Sequence, residues 1–77
     1  MNKARRKWLE DVIANLESQK EELEGIQSEE QEAVDNMPES LQETERYEIM
    51  SENADDLDSA VSDLEDIISN LQEVLER

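Results

Sequence analysis

The second half of the chain carries an unbroken heptad pattern, which constrains the fold more than any other feature. Nine residues recur at alternating steps of three and four: Tyr47, Met50, Ala54, Leu57, Val61, Leu64, Ile68, Leu71 and Leu75. In the seven-residue repeat written abcdefg, they alternate between positions a and d. Only an α-helix places side chains with this spacing on one face. We therefore predict a helix over about residues 45–76, and we call this face the seam.

The first half carries a weaker copy of the same pattern. Its apolar seam residues are Leu9, Ile13, Leu16, Leu23, Val34 and Met37. Lys20, Gln27 and Glu30 interrupt the seam at a and d positions, where polar residues usually lower stability and can fix the register of pairing. A helix over about residues 4–36 is expected.

The segment between the two patterns, NMPESLQETE at residues 36–45, contains the only proline. Pro38 disfavours helical geometry at the preceding residue and cannot donate a backbone hydrogen bond. Ser40 and Glu43 have the spacing of a capping box, and Thr44 is an alternative N-cap for the second helix. A turn over about residues 37–44 is predicted, and a proline kink in one long helix is the alternative.

The two seams match each other in an antiparallel arrangement centred on Gln42. Facing residues then have a constant sum of residue numbers, and the facing pairs are Leu9 with Leu75, Ile13 with Leu71, Leu16 with Ile68, Leu23 with Val61, Val34 with Met50 and Met37 with Tyr47. The predicted fold is therefore all-α, a single antiparallel two-helix coiled-coil hairpin spanning residues 1–77.

One edge of this hairpin is predicted to be apolar, because the g positions of both helices line it. We call Val12, Ile26, Ala60, Ile67 and Val74 the apolar edge. Together with the seam, this edge is too wide for two helices to cover, as in a helical bundle. The simplest expectation is a homodimer that forms a four-helix bundle. A helix of another protein could fill the same groove, or the chain could be a monomer that tolerates the strip.

The e positions, on the opposite edge, are rich in acids, and no basic residue is expected to offset them. We call a larger set the acidic surface: Glu10, Glu17, Glu24, Asp55, Asp56, Asp58, Asp63, Glu65 and Asp66. Carboxylates three and four residues apart on a helix lie about 5–6 Å apart, close to the spacing of backbone phosphates. This surface either keeps the protein soluble or binds a basic protein that normally holds nucleic acid, as a DNA mimic does.

Composition restricts the chemistry. The chain has no cysteine and no histidine, so it lacks thiolate ligands and the usual general base. We expect a non-catalytic protein with no cofactor and no metal. No apolar run approaches the ~18 residues of a membrane span, so we expect no membrane association and a cytoplasmic location.

Charge is distributed unevenly along the chain. The net charge is −16, although Lys3, Arg5, Arg6 and Lys7 place +4 in the first seven residues. The acidic remainder repels nucleic acid and attracts basic surfaces, so direct nucleic-acid binding through the N-terminus is the weaker alternative. The basic residues are expected to pair with Glu73 and Glu76. Trp8, at an outward c position, either folds over the end of the bundle or anchors a partner.

The motif NMPESLQ followed by ERYE resembles a group of small acidic helical proteins of bacterial prophages and mobile elements. The resemblance implies a bacterial or phage source, and it supplies no activity and no binding residue. The expected function is a phage or mobile-element accessory factor that binds or inhibits a basic, nucleic-acid-binding host protein. The alternatives are a structural or assembly module acting through its apolar edge, and nucleic-acid binding through the basic N-terminus.

Overall fold

Two long helices pack side by side in the computed structural model, which describes all residues from Met1 to Arg77. Helix α1 spans Lys3–Asp35, a 3-10 turn spans Glu39–Leu41, and helix α2 spans Glu45–Glu76. The molecule measures 60 × 15 × 14 Å and contains no strand. The antiparallel hairpin is thus confirmed, and the alternative of one long kinked helix is wrong.

Helix α1 begins and ends with side-chain and backbone caps that its sequence supplies. The Asn2 side chain accepts a hydrogen bond of 2.8 Å from the backbone N–H of Arg5, which satisfies one of the free donors at the helix start. At the other end, the Asn36 N–H donates to the Glu32 carbonyl. Pro38 then adopts an extended conformation with ψ of 141°, so the helix cannot continue.

Thr44, rather than Ser40, caps helix α2. The Thr44 hydroxyl accepts from the Tyr47 backbone N–H at 3.3 Å and donates to the Leu41 carbonyl at 2.7 Å. Ser40 lies inside the 3-10 turn and makes no cap. The capping box from Ser40 to Glu43 is therefore wrong and the Thr44 alternative is confirmed, because the 3-10 turn delays the start of the helix to Glu45.

The core follows the heptad seam along the whole hairpin. Every predicted seam position in both helices is buried or half-buried, including the polar interruptions Lys20, Gln27 and Glu30. Only five residues are buried: Ile13, Val34, Ala54, Val61 and Ile68. No large side chain is completely enclosed, because two helices can shield the seam only from each other. The hairpin therefore has a thin core.

Neither helix contains a stretch that is both long enough and apolar enough to cross a membrane.

Candidate interaction surfaces

The structure leaves most of the apolar edge open to solvent. Ile26 is 54% exposed, Ile67 is 49% exposed and Val12 is 38% exposed. Ala60 is also exposed, whereas Val74 is half-buried. Large apolar side chains that stand side by side in solvent mark an interaction surface more often than isolated ones do.

The exposed apolar stripe extends beyond the g positions. Trp8 and Ile49 are at least half exposed, and both occupy c positions of the heptad. A c position adjoins the g position on the same side of a helix, so these two side chains add to the apolar edge. The heptad phase is sufficient to place both residues there, because position c follows directly from the spacing of the seam.

No acid occupies this edge at any g position. The ten g residues of the two helices are Arg5, Val12, Gln19, Ile26, Ala33, Arg46, Asn53, Ala60, Ile67 and Val74. The chain as a whole contains 23 acids in 77 residues, so their absence from the g positions sets this edge apart, although Glu22, Glu29, Asp56 and Asp63 flank it at c positions. Arg5 and Arg46 stand near the two ends of the acid-free edge.

The acidic edge contains a basic residue, contrary to the prediction. The ammonium of Lys20 lies 3.5 Å from the Glu24 carboxylate and 3.7 Å from that of Glu65 on the other helix. Lys20 occupies an a position on the seam, and its side chain is 26% exposed. Its long aliphatic part covers the seam while the charged end reaches the edge. Lys20 thereby offsets part of the repulsion between the acids.

A second contact joins the helices along the same edge. The amide of Gln72 donates a hydrogen bond of 3.2 Å to Glu17. A shallow groove runs past these side chains, lined by Glu17, Lys20, Glu21, Glu24, Glu65, Ile68, Ser69 and Gln72. The e positions Glu17, Glu24 and Glu65 are therefore brought together, as the heptad phase indicates, and Lys20 lies between them.

The remaining members of the acidic surface are spread around the rod. Asp56 lines a different groove, with Glu30, Asn53 and Leu57, which is on the side of the apolar edge because Asn53 is a g residue. Asp63, also a c residue, falls on the same side. Asp55 and Asp66 point outward and are exposed. Helical geometry thus divides the acids of this part of α2 between two sides of the helix. We call these acids the dense segment: Asp55, Asp56, Asp58, Asp63, Glu65 and Asp66.

Few carboxylates have a cationic partner. Of the 23 acids, only Asp11, Glu24 and Glu65 take part in ion pairs. The remaining carboxylates impose a strong negative field on most of the molecular surface. No group of three acids converges on a site that could hold a metal ion.

The basic N-terminus makes different contacts from those predicted. The Arg6 guanidinium donates to the backbone carbonyl of Leu75 at the C-terminal end of α2, where a positive charge also complements the helix dipole. Lys7 pairs with Asp11 at 2.8 Å, and this hydrogen bond raises the pKa of Lys7. The predicted ion pairs with Glu73 and Glu76 do not form, because Arg6 and Lys7 have these other partners.

Trp8 does not fold over the end of the hairpin. Its side chain is 71% exposed, because the c position directs it away from the seam. An exposed indole on an otherwise polar helix is a strong candidate for contact with another molecule. Arg5 lies on the same side of the helix, one turn toward the N-terminus.

Comparison with protein-family models, with curated protein sequences and with solved structures finds no match.

Proposed function

We propose that this chain is a non-catalytic binding protein that associates with a second copy through its apolar edge and binds a basic protein through its acidic faces. The observation that carries the proposal is the segregation of charge, since 23 acids are present and none lies at a g position. A charge distribution needed only for solubility has no reason to spare one continuous edge.

The partner best matched to the acidic faces is a protein surface built to bind nucleic acid. Such surfaces are rich in Lys and Arg, and they recognise regularly spaced negative charges. Glu17, Glu24 and Glu65 lie along one groove, and the rod is 60 Å long. The hairpin thus offers an extended negative surface, and a dimer of two chains at −16 each would offer two. By occupying the nucleic-acid-binding surface of the partner, the protein would exclude DNA from that surface.

The resemblance to small acidic proteins of prophages and mobile elements supports a role in phage or mobile-element biology. Inhibition of a basic host protein in the bacterial cytoplasm is the role that the charge favours. An assembly module that uses the apolar edge alone is the second candidate, and the exposure of Ile26 and Ile67 supports it. Direct nucleic-acid binding is the weakest candidate, because Arg6 and Lys7 are engaged within the chain.

The experiment measures whether the protein displaces a DNA duplex from a basic DNA-binding protein, with fluorescence anisotropy as the readout. Displacement is expected at low salt, and it should weaken steeply as salt increases. Changing five acids of the dense segment to Asn or Gln should abolish it: Asp55, Asp56, Asp58, Glu65 and Asp66.

A matched variant neutralises five acids near the turn instead: Glu32, Asp35, Glu39, Glu43 and Glu48. This variant has the same net charge as the first. If the variant near the turn still displaces DNA and the first variant does not, the binding is assigned to the dense segment. Equal loss in both variants would show that net charge alone is responsible. No displacement at any salt concentration would refute binding to a basic protein and leave the assembly role.

A further inference from the structure

The apolar edge is complementary to itself in one particular alignment, which assigns the geometry of the dimer. This inference rests on the proposed self-association and deepens it. The edge is occupied by a second copy, rather than by an unrelated helix, for two reasons that the structure supplies.

The first reason is the thin core. Five buried residues in a chain of 77 give little stabilisation, and small folds of this size usually add disulfides, a metal or oligomerisation. The chain has no cysteine and no metal cluster, so oligomerisation would supply burial that neither of those devices can replace. The second reason is charge. A second copy repels the first over every acidic face, and it can approach closely only along the edge where g-position acids are absent.

Two symmetric alignments can bring the edges of two hairpins face to face. If the two-fold axis runs along the rod, α1 faces α2 of the second copy. If the axis runs across the rod, α1 faces α1 and α2 faces α2, with the turns at opposite ends. The residues at the g positions distinguish between these alignments.

An axis along the rod places Val12 against Val74 and Ile26 against Ala60, but it also places polar residues against apolar ones. Gln19 then faces Ile67 of the second copy, because the two residues lie at the same level within one hairpin and this axis leaves that level unchanged. Ala33 likewise faces Asn53 of the second copy. Each mismatch occurs twice, and burying an amide against an apolar side chain without a hydrogen-bond partner is costly.

An axis across the rod, at the level that Gln19 and Ile67 share, matches like with like on both helices. Along α1, Val12 faces Ile26 of the second copy and Gln19 faces Gln19, so the two amides can hydrogen bond to each other. Along α2, Ala60 faces Val74 and Ile67 faces Ile67. Both helices require the same axis, although their sequences are unrelated. Moving the axis by one heptad, to Ile26 and Ala60, places Asn53 against Ile67 and Arg46 against Val74.

The ends of α1 also become complementary in this alignment. Arg5 faces Ala33 of the second copy, and Glu29 of that copy lies one helical turn from Ala33. The guanidinium and the carboxylate are thereby placed about one helical turn apart on neighbouring helices, a distance that the long Arg5 side chain can span. Trp8, exposed in the single hairpin, lies over the space between Ile26 and Ala33 of the second copy.

We infer that two hairpins associate end for end through the apolar edge. The two-fold axis passes through the centre of the Gln19–Gln19 pair and through the centre of the Ile67–Ile67 pair. The turns project beyond the overlap at both ends. Ile49, near the turn, stays uncovered in this dimer and is free for another contact.

Single-cysteine variants of the full chain test the alignment, because the native chain has no cysteine. Under mild oxidation, Gln19→Cys and Ile67→Cys should each form a disulfide-linked homodimer about tenfold faster than Ala33→Cys, since only the first two positions lie on the axis. Ala33→Cys is the matched control, because it is also an exposed g residue but faces Arg5 instead of itself. Sedimentation of the reduced variants first establishes that each is dimeric.

The outcomes separate the alignment from the self-association on which it rests. Dimers in which Gln19→Cys and Ile67→Cys link no faster than Ala33→Cys would overturn the alignment while leaving self-association intact. Rapid linkage only in a mixture of Gln19→Cys with Ile67→Cys would assign the axis along the rod. A wild-type chain that stays monomeric would overturn both, and DNA displacement by the acidic faces would still be measured independently.

A charge swap gives a second test that needs no cysteine. Arg5→Glu should weaken the dimer about tenfold, and adding Glu29→Arg to the same chain should restore it by re-forming the pair with reversed charges. Failure of the double variant to recover, in a chain whose circular dichroism is unchanged, would contradict the alignment.

Trp8 is the only tryptophan, and its emission should shift to shorter wavelength when the dimer forms. An emission maximum that stays constant across the dimerisation range would contradict burial of Trp8.

Discussion

The ammonium of Lys20 in α1 lies 3.7 Å from the carboxylate of Glu65 in α2, which makes Lys20 the only cation that bridges the two helices at the acidic edge. The same side chain interrupts the apolar seam. Lys20 therefore weakens the apolar packing of the seam but reduces the repulsion between the acids. Changing the salt concentration should separate these two contributions to stability, because salt screens only the second.

Replacing Lys20 with Leu should reveal this separation. At high salt the substitution should raise the free energy of unfolding by about 1 kcal/mol, because a half-buried apolar side chain joins the seam. At low salt the gain should shrink or reverse, because the repulsion between Glu24 and Glu65 is then unscreened. Urea unfolding at two salt concentrations measures both values. Lys3→Leu, at an exposed site of α1, is the control and should change stability by less than about 0.5 kcal/mol. A gain that does not depend on salt would contradict the compensating role of Lys20.

Removing the cap of α2 should destabilise the hairpin. Thr44→Ala deletes the oxygen that accepts from the Tyr47 N–H and the hydroxyl that donates to Leu41, and an N-cap loss of this kind costs about 1 kcal/mol. Thermal unfolding followed by circular dichroism measures the loss. Ser40→Ala is the matched control and should have little effect, because Ser40 caps no helix. Equal losses in the two variants would show that the helix begins earlier than Glu45.

Filling the single glycine should stabilise the protein. Gly25 lies at an outward position of α1 with helical backbone geometry, and a methyl group there would meet no atom within 4 Å. Gly25→Ala should therefore raise the free energy of unfolding by about 0.5–1 kcal/mol, since alanine loses less conformational freedom on folding. Chemical denaturation measures the change. Destabilisation would indicate that this face of α1 is covered in solution.

The Lys7–Asp11 pair predicts a titration effect in the alkaline range. The hydrogen bond from Lys7 to Asp11 raises the pKa of Lys7 above its ordinary value of 10.5. Because the pKa is raised by folding, the pair stabilises the helix below that ordinary value, and the contribution is lost as pH rises through the folded-state pKa. In Asp11→Asn the Lys7 pKa, followed by NMR of the side-chain nitrogen, should fall toward 10.5. An unchanged pKa would show that the pair does not persist in solution.

Several features of the fold follow from the sequence because they depend on local spacing. The alternation of three and four residues from Tyr47 to Leu75 fixes which face of α2 is buried, and the matching spacing from Leu9 to Met37 fixes the face of α1. Pro38 marks the break, because its ring and missing N–H act on adjacent residues only. The bounds of both helices therefore lie within one or two residues of the expected ones.

Other features depend on side-chain reach, which spacing does not specify. The heptad places Lys20 on the seam, and only its extended side chain brings the charge to Glu65. Arg6 likewise reaches the Leu75 carbonyl instead of a carboxylate, because unsatisfied carbonyls at a helix end compete with acids for the guanidinium. Both Ser40 and Thr44 satisfy the sequence rule for a cap, and the intervening 3-10 turn decides between them.

The most direct test of the account is the mass of the protein in solution, measured by sedimentation equilibrium for wild type, Ile67→Glu and Ser59→Glu. Both variants add one negative charge to an exposed site of α2, but only Ile67 belongs to the acid-free edge. Wild type and Ser59→Glu should have twice the 8.9 kDa chain mass, more completely as salt screens the charge on each copy, and Ile67→Glu should have the mass of one chain. A wild-type mass of 8.9 kDa at high salt, or a dimer that Ile67→Glu leaves intact, would contradict the claim that this edge is where two copies meet.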